Sequence, residues 1–195
     1  MAEVLQYPSP HAERNRTAYW GMGLFLAGWA MTFGGLFFTY ALLRQRAPSW
    51  PPLGLPPLPL LLPTLSTAAI GLSSVAFEAG LISVRRRRAH LGARCLLGCV
   101  VLGGLFLALQ LMLAQEAAAS GLTADRGGYA AVFYGFTVLH ALHLVIGWVA
   151  VMALGVATFK GRYTPARHLP LRLWGLYWHF VGVVWALMYG LLFLL

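Results

Sequence analysis

Charge is scarce in this chain. Only 10% of its 195 residues are Asp, Glu, Lys or Arg, against roughly 25% in soluble domains. Hydrophobic residues make up 59% and mean hydropathy is +0.72. A water-soluble fold would leave most of that apolar surface uncovered, so an integral membrane protein is expected. Acids are the scarcest group, with five Asp and Glu against fourteen Lys and Arg. Cysteine is limited to Cys95 and Cys99. Four apart in one apparent helix, they point the same way and serve as small buried hydrophobes, not as a disulfide or a metal site. The chain also has no nucleophile with an adjacent base, no phosphate-cradling glycine loop and no Cys/His metal spacing.

What it does have is apolar length. Five runs, at about 18–43, 62–84, 94–115, 129–157 and 173–195, can each cross a bilayer as a helix. They are continuous and do not alternate in twos, which favours helices over a barrel. The expected fold is therefore an all-α, polytopic bundle of five transmembrane helices over residues 18–195, preceded by a polar segment, 1–17. That segment has no apolar h-region, so insertion is expected to start with the first span. Residues 47–63 hold most of the prolines and suit an extended linker between the first two helices. Gly21, Gly28 and Gly35 recur every seven residues, as do Gly175 and Gly182, with Gly190 close to the same stripe. Each stripe is expected to let a helix or a lipid tail approach closely.

The net charge of +9 sits in the short connections. Eleven Lys and Arg precede the first span or lie in the second and fourth connections; Arg44, Arg46 and Arg126 lie on the other side. This asymmetry predicts a cytoplasmic N-terminus and a C-terminus outside. The Arg85–Arg88 run reads as part of this topology signal. No basic face exists apart from these loops, so no nucleic-acid partner is expected.

His140, His143 and His179 raise a metal or haem hypothesis. His140 and His143 share a face at i, i+3. His179 is expected about ten ångströms away in depth, too far for bonds of ~2 Å. Packing roles are expected instead, and no metal or haem is assigned to this chain. Glu78 is the one acid clearly inside a span. Proton handling is one reading of it. The other is a snorkelling carboxylate paired with the Arg85–Arg88 run.

Several segments together resemble subunit III of the haem–copper terminal oxidases in its shorter, five-helix bacterial form. Gly21-Met22, Leu24-Phe25-Leu26-Ala27, Met31, Phe33 and Gly34-Gly35-Leu36-Phe37 look like the first helix of that form. Trp50-Pro51-Pro52 through Pro63, then Ser66-Thr67 and Ser73-Ser74, is similar to its proline linker and second helix. Phe136-Thr137-Val138-Leu139-His140-Ala141-Leu142-His143 resembles its paired-histidine fourth helix. His168, eleven residues before His179, leads as in the family into Tyr177-Trp178-His179-Phe180-Val181. The chain departs from the family at four acids. Trp29, Gly182 and Leu113 (three residues after the matched Gln110) stand where acids are usual, and Arg172 replaces another before the fifth helix. Trp29 and Gly182 are expected to be one compensating exchange of size.

The resemblance implies a non-catalytic accessory subunit of a respiratory oxygen reductase of the cytochrome c oxidase type. It implies partners in oxidase subunits I and II, with haem and copper in the catalytic partner. It also implies membrane phospholipids held in a cleft between the first two helices and the last three. Trp178, His179 and His168 are its expected headgroup or subunit contacts, with Trp29, Glu78, His140 and His143 as further candidates. Two other readings stay open: an accessory subunit of a quinol oxidase or nitric oxide reductase, and an independent small transporter or di-haem carrier. The last needs polar residues converging at one depth.

Overall fold

The computed structural model describes residues 10–49, 60–123 and 127–194. Five helices follow in order: α1 (Pro10–Arg46), α2 (Leu61–Arg85), α3 (Ala89–Ala119), α4 (Gly128–Phe159) and α5 (Leu169–Tyr189), which ends in a π-helical turn, Gly190–Leu194. All five are long and apolar enough to span a membrane. Among the described residues the chain forms no strand, only one isolated bridge between Thr164 and Arg167. This is the solution a bilayer demands, because a helix satisfies its own backbone groups. The polar stretch expected to precede the first span continues α1 back to Pro10. Most of the proline linker, with Trp50-Pro51-Pro52, and also Asp125 and Arg126, lie outside the described residues.

Three helices end in the same way. After α2, α3 and α4 the chain makes a 6→1 and a 5→2 hydrogen bond, for example Leu122 N–H to Ala117 O at 3.0 Å and Gly121 N–H to Ala118 O at 3.1 Å. This closure needs one residue in the left-handed region. Gly121 (φ 89°) and Gly161 (φ 71°) provide it after α3 and α4, whereas Arg87 (φ 62°) does so after α2.

Packing is uneven. α2 and α3 form a close hairpin. A Cβ on Gly92 would lie 2.7 Å from Val84 Cγ2, so only glycine permits the crossing at that point. Further along, Ser73 Oγ donates to Cys99 O (3.1 Å) and Gln110 Nε2 donates to Ser66 Oγ (3.1 Å). Cys99 is buried beside Ser73, while Cys95 is half-buried. Leu113 is buried.

The bundle's centre is Trp178, which is 0% exposed. Its indole N–H donates to Ser73 Oγ at 3.1 Å, and its ring lies 3.0 Å from the Cβ position of Gly103 and 3.1 Å from that of Gly147. Helices α2, α3, α4 and α5 thus converge on one side chain. This corrects the expectation of a headgroup contact: Trp178 reaches neither lipid nor solvent.

α1 stands apart. It leans on α4 and α5 through Phe33 and Tyr40, both 2% exposed, and Tyr40 O–H donates to Leu191 O (3.0 Å) in the π-turn. Several of its other large side chains are bare, including Met31 at 78% and Leu24 at 72%, while Met22, Leu26, Leu36 and Phe37 are partly covered by the core. The cleft implied between the first two helices and the last three is therefore not present, because α2 closes onto α3 and α5. The helix set apart is α1 alone. The two glycine stripes divide accordingly. Gly175 and Gly182 face α2, through Phe77 and Ser74, while among the described residues nothing lies within 4 Å of a Cβ on Gly21, Gly28, Gly35 or Gly190.

Candidate functional site

Two polar regions remain once the core is drawn, and they lie at different heights of the bundle.

The deeper one is built from α1, α4 and α5. Spacing of three residues puts His140 and His143 on one face of α4, and both are buried. His143 Nδ1 lies 2.6 Å from Leu139 O; a carbonyl only accepts, so Nδ1 is the donor in this contact. Nε2 has no partner among the described residues. Trp29 meets the ring edge to face, with centroids 3.9 Å apart, and Phe33 lies at 5.6 Å. Tyr177 O–H donates to His143 O at 2.9 Å. His140 is enclosed by Phe33, Phe106 and Trp185, with both ring nitrogens unpartnered among the described residues. These two histidines are sealed inside the chain, so neither is a lipid or subunit contact. Trp29 is half-buried against them. Gly182 faces Ser74 and Ile70 of α2 instead, so the expected size exchange between Trp29 and Gly182 is rejected.

The second region lies at the basic end, where the N-terminal turns of α1 pass the α4–α5 connection. Glu78 Oε2 and His179 Nε2 are 3.7 Å apart, both partly exposed. This identifies Glu78's nearest partner as His179. Arg85 belongs to the same recess, a cavity of about 210 Å³ also lined by Tyr19 and Arg172. Arg172 lies over the Tyr19 ring, 5.4 Å from its centroid. Beyond that contact a larger cleft of about 700 Å³ is lined by Arg14, Arg162, Arg167, Arg172 and His168. Tyr19 Oη and His168 Nδ1 are both buried there without a hydrogen-bond partner among the described residues. Tyr163 closes one wall; burial pushes its phenol above the usual tyrosine range, with Arg162 opposing. Four guanidinium groups and two polar atoms without a partner among the described residues surround one cleft, chemistry suited to an anionic oxygen group.

Of the expected site residues, the structure brings His168, His179 and Glu78 to the rim of this region and takes Trp178, His140 and His143 away from it. Sequence reasoning missed Arg14 as a site residue because the first helix was expected to begin after it, and it missed Tyr19, at the start of that expected helix, because nothing in the sequence set it against the α4–α5 connection. Helical spacing was the available signal, since Asn15 and Tyr19 lie one turn apart on one face. Among the described residues no three His, Cys, Asp or Glu converge as a metal site.

Comparison with known proteins agrees with this architecture. A family model for cytochrome c oxidase subunit III matches residues 9–195. Cytochrome c oxidase subunit 3 of Synechocystis sp. is 34% identical over 177 residues, covering 90% of this chain and 74% of that protein. Its namesake in Thermostichus vulcanus is 30% identical over 178 residues, covering 90% and 86%. The human protein of the same name is 31% identical over 176 residues, covering 87% and 66%. With a match running through all five helices, this chain belongs to the cytochrome c oxidase subunit III family.

Proposed function

We infer that the chain serves as the non-catalytic subunit III of a respiratory haem–copper oxygen reductase, packed beside the oxidase core subunits in a bacterial inner membrane. The family match over residues 9–195 carries this reading. Electron transfer and oxygen reduction then take place in the partner subunits, which hold the haem and copper. The chain's own part is to flank the catalytic subunit and to order phospholipid beside it. The basic cleft supports the lipid role, since Arg14, Arg162, Arg167 and Arg172 surround the unpartnered atoms of Tyr19 and His168. An anionic headgroup placed there would have the bare apolar face of α1 beneath it for its acyl chains. The excess of Lys and Arg at this end supports a cytoplasmic placement for it, with the N-terminus inside and the C-terminus outside.

Purification of the tagged chain from its native membrane in mild detergent tests the reading. A haem-containing, copper-containing core should accompany it, and that partner's spectrum identifies the haem and the electron donor. The chain stripped of partners should carry no haem band. Haem that stays with the stripped chain, or purification without any oxidase subunit, would overturn the assignment. Deleting the chain should leave the initial oxidase rate intact and shorten the time over which turnover is sustained.

A further inference from the structure

A second cavity lies away from the basic cleft, between α3 and α4. It encloses about 520 Å³ and is lined mainly by apolar side chains, among them Leu97, Met152 and Phe159, with Gly155 as part of its floor. Two polar side chains stand on its rim, His90 and Arg94, and among the described residues no acid lines it. His90 meets Phe159 edge to face at 6.1 Å, which closes the groove at the basic end of the bundle. Toward the middle of the span the groove runs out onto exposed apolar side chains, Val101 and Leu105 on α3 and Val149 on α4.

The chemistry of the groove changes along its length. At one end is a fixed positive charge, about one and a half turns inside the start of α3 and long enough to reach the interface. Below it is a trough of hydrocarbon with nothing polar to satisfy. The first turn of α3 has no side-chain cap, which adds to the positive field there. A transmembrane helix from another subunit would leave Arg94 and His90 without a counter-charge unless it carried an acid at that depth. A zwitterionic lipid would bring its own cation to the arginine. An anionic glycerophospholipid matches both ends.

We propose that the α3–α4 groove is a second lipid site, independent of the basic cleft, which holds one anionic phospholipid with its phosphate on Arg94 and His90 and an acyl chain over Gly155. Gly155 is what keeps the trough open. A Cβ there would make only an ordinary 3.7 Å contact with Leu96 Cβ, so the position accepts a side chain on the floor of the groove without a close clash at its first atom.

Native mass spectrometry of the full chain in detergent, titrated with phosphatidylglycerol or phosphatidylcholine of identical acyl chains, tests this. Gly155→Leu should lower retention of both lipids by blocking the trough. Arg94→Gln should lower phosphatidylglycerol retention about fivefold and leave phosphatidylcholine unchanged. Thermal melting of both variants at the wild-type temperature shows that they fold. The pair Arg14→Gln and Arg172→Gln addresses the basic cleft separately. If that pair loses lipid while Gly155→Leu and Arg94→Gln retain it as wild type does, the groove proposal falls and the cleft reading stands. If the two groove variants keep their lipid but no longer co-purify with the oxidase core, the groove holds a partner helix and the proposal is equally overturned.

Discussion

Trp29 on α1 and His143 on α4 meet edge to face with their ring centroids 3.9 Å apart, and this contact ties the one loosely held helix to the rest of the bundle. Of the other large side chains of α1, Phe33 and Tyr40 are buried and Met22, Leu26, Leu36 and Phe37 are partly covered by the core. Trp29→Ala should therefore act on the attachment of α1 more than on the four-helix core. An aromatic pair contributes about 0.5–1.5 kcal/mol beyond its buried area. The expected result is a lower melting temperature in detergent together with faster proteolysis at the start of α1. Trp29→Phe, which keeps a ring, should recover most of the loss. Equal cleavage of wild type and Trp29→Ala would show that the contact holds nothing.

The glycines give a sharper contrast, because the same substitution has opposite expectations on two helices. A Cβ on Gly147 would lie 2.9 Å from Tyr177 Cε1 and 3.1 Å from Trp178 Cε3. Both rings are buried and cannot swing away, so Gly147→Ala should destabilise by about 1–3 kcal/mol, the usual range for overpacking. On α1 nothing lies within 4 Å of a Cβ on Gly28. Gly28→Ala should leave the isolated chain unchanged or slightly more stable, as alanine favours helix. Thermal unfolding of the two variants side by side decides it. A loss with Gly28→Ala only in the assembled oxidase would identify this stripe as a contact with another subunit.

That division between two similar stripes marks the limit of what the sequence could convey. Apolar length and continuity made the five spans legible, and ordered motifs made the family legible. Spacing of seven said that Gly21, Gly28 and Gly35 share a face, as Gly175 and Gly182 do. It could not say which stripe has a neighbour, because that depends on how α2 chooses between α1 and α3. Trp178 was misplaced for a related reason. Its position near one end of a span suggested the interface, but Gly103 and Gly147 open a space for it in the middle of the bundle. The acids were misread by one partner: proximity in sequence pointed Glu78 to the Arg85–Arg88 run, and the tertiary fold set it against His179.

Arg87 occupies the left-handed position that Gly121 and Gly161 fill at the other two helix ends. A side chain there costs roughly 1–2 kcal/mol relative to glycine. Arg87→Gly should raise stability by part of that amount, offset by the greater freedom of glycine in the unfolded chain. A higher midpoint of denaturation in detergent is the expected reading. An unchanged or lower midpoint would mean that the Arg87 side chain contributes a contact worth as much as the strain.

Tyr163 gives the α4–α5 connection a defined response to alkali. Burial holds its phenol above the ordinary range, against the pull of Arg162. A group whose folded pKa is raised binds its proton more tightly when folded, so its stabilising effect is full below the unfolded value near pH ~10 and is lost as pH rises through the folded value. The connection should loosen above that range, exposing the cleft lined by Arg162 and His168. Tyr163→Phe should remove this share of the alkaline sensitivity while leaving neutral stability nearly unchanged. Melting curves of both proteins across the alkaline range give the comparison, and parallel decline of the two would show that Tyr163 has no part in it.

Among the described residues Glu78 is the only acid lining the small recess shared with Arg85 and Arg172. Its contact with His179 at 3.7 Å is partly exposed and contributes under about 1 kcal/mol to the fold. Glu78→Gln should therefore melt close to wild type. Its effect should appear in binding instead. Removing one negative charge leaves Arg85 and Arg172 with less local compensation, and each basic side chain near a headgroup contributes about 1 kcal/mol of attraction to an anionic lipid. Retention of phosphatidylglycerol by the full chain should rise several-fold, most clearly at low salt, where a Debye length of about 30 Å at 0.01 M leaves the field unscreened. Reduced retention would mean that Glu78 does not oppose the headgroup but positions His179 or an arginine to receive it.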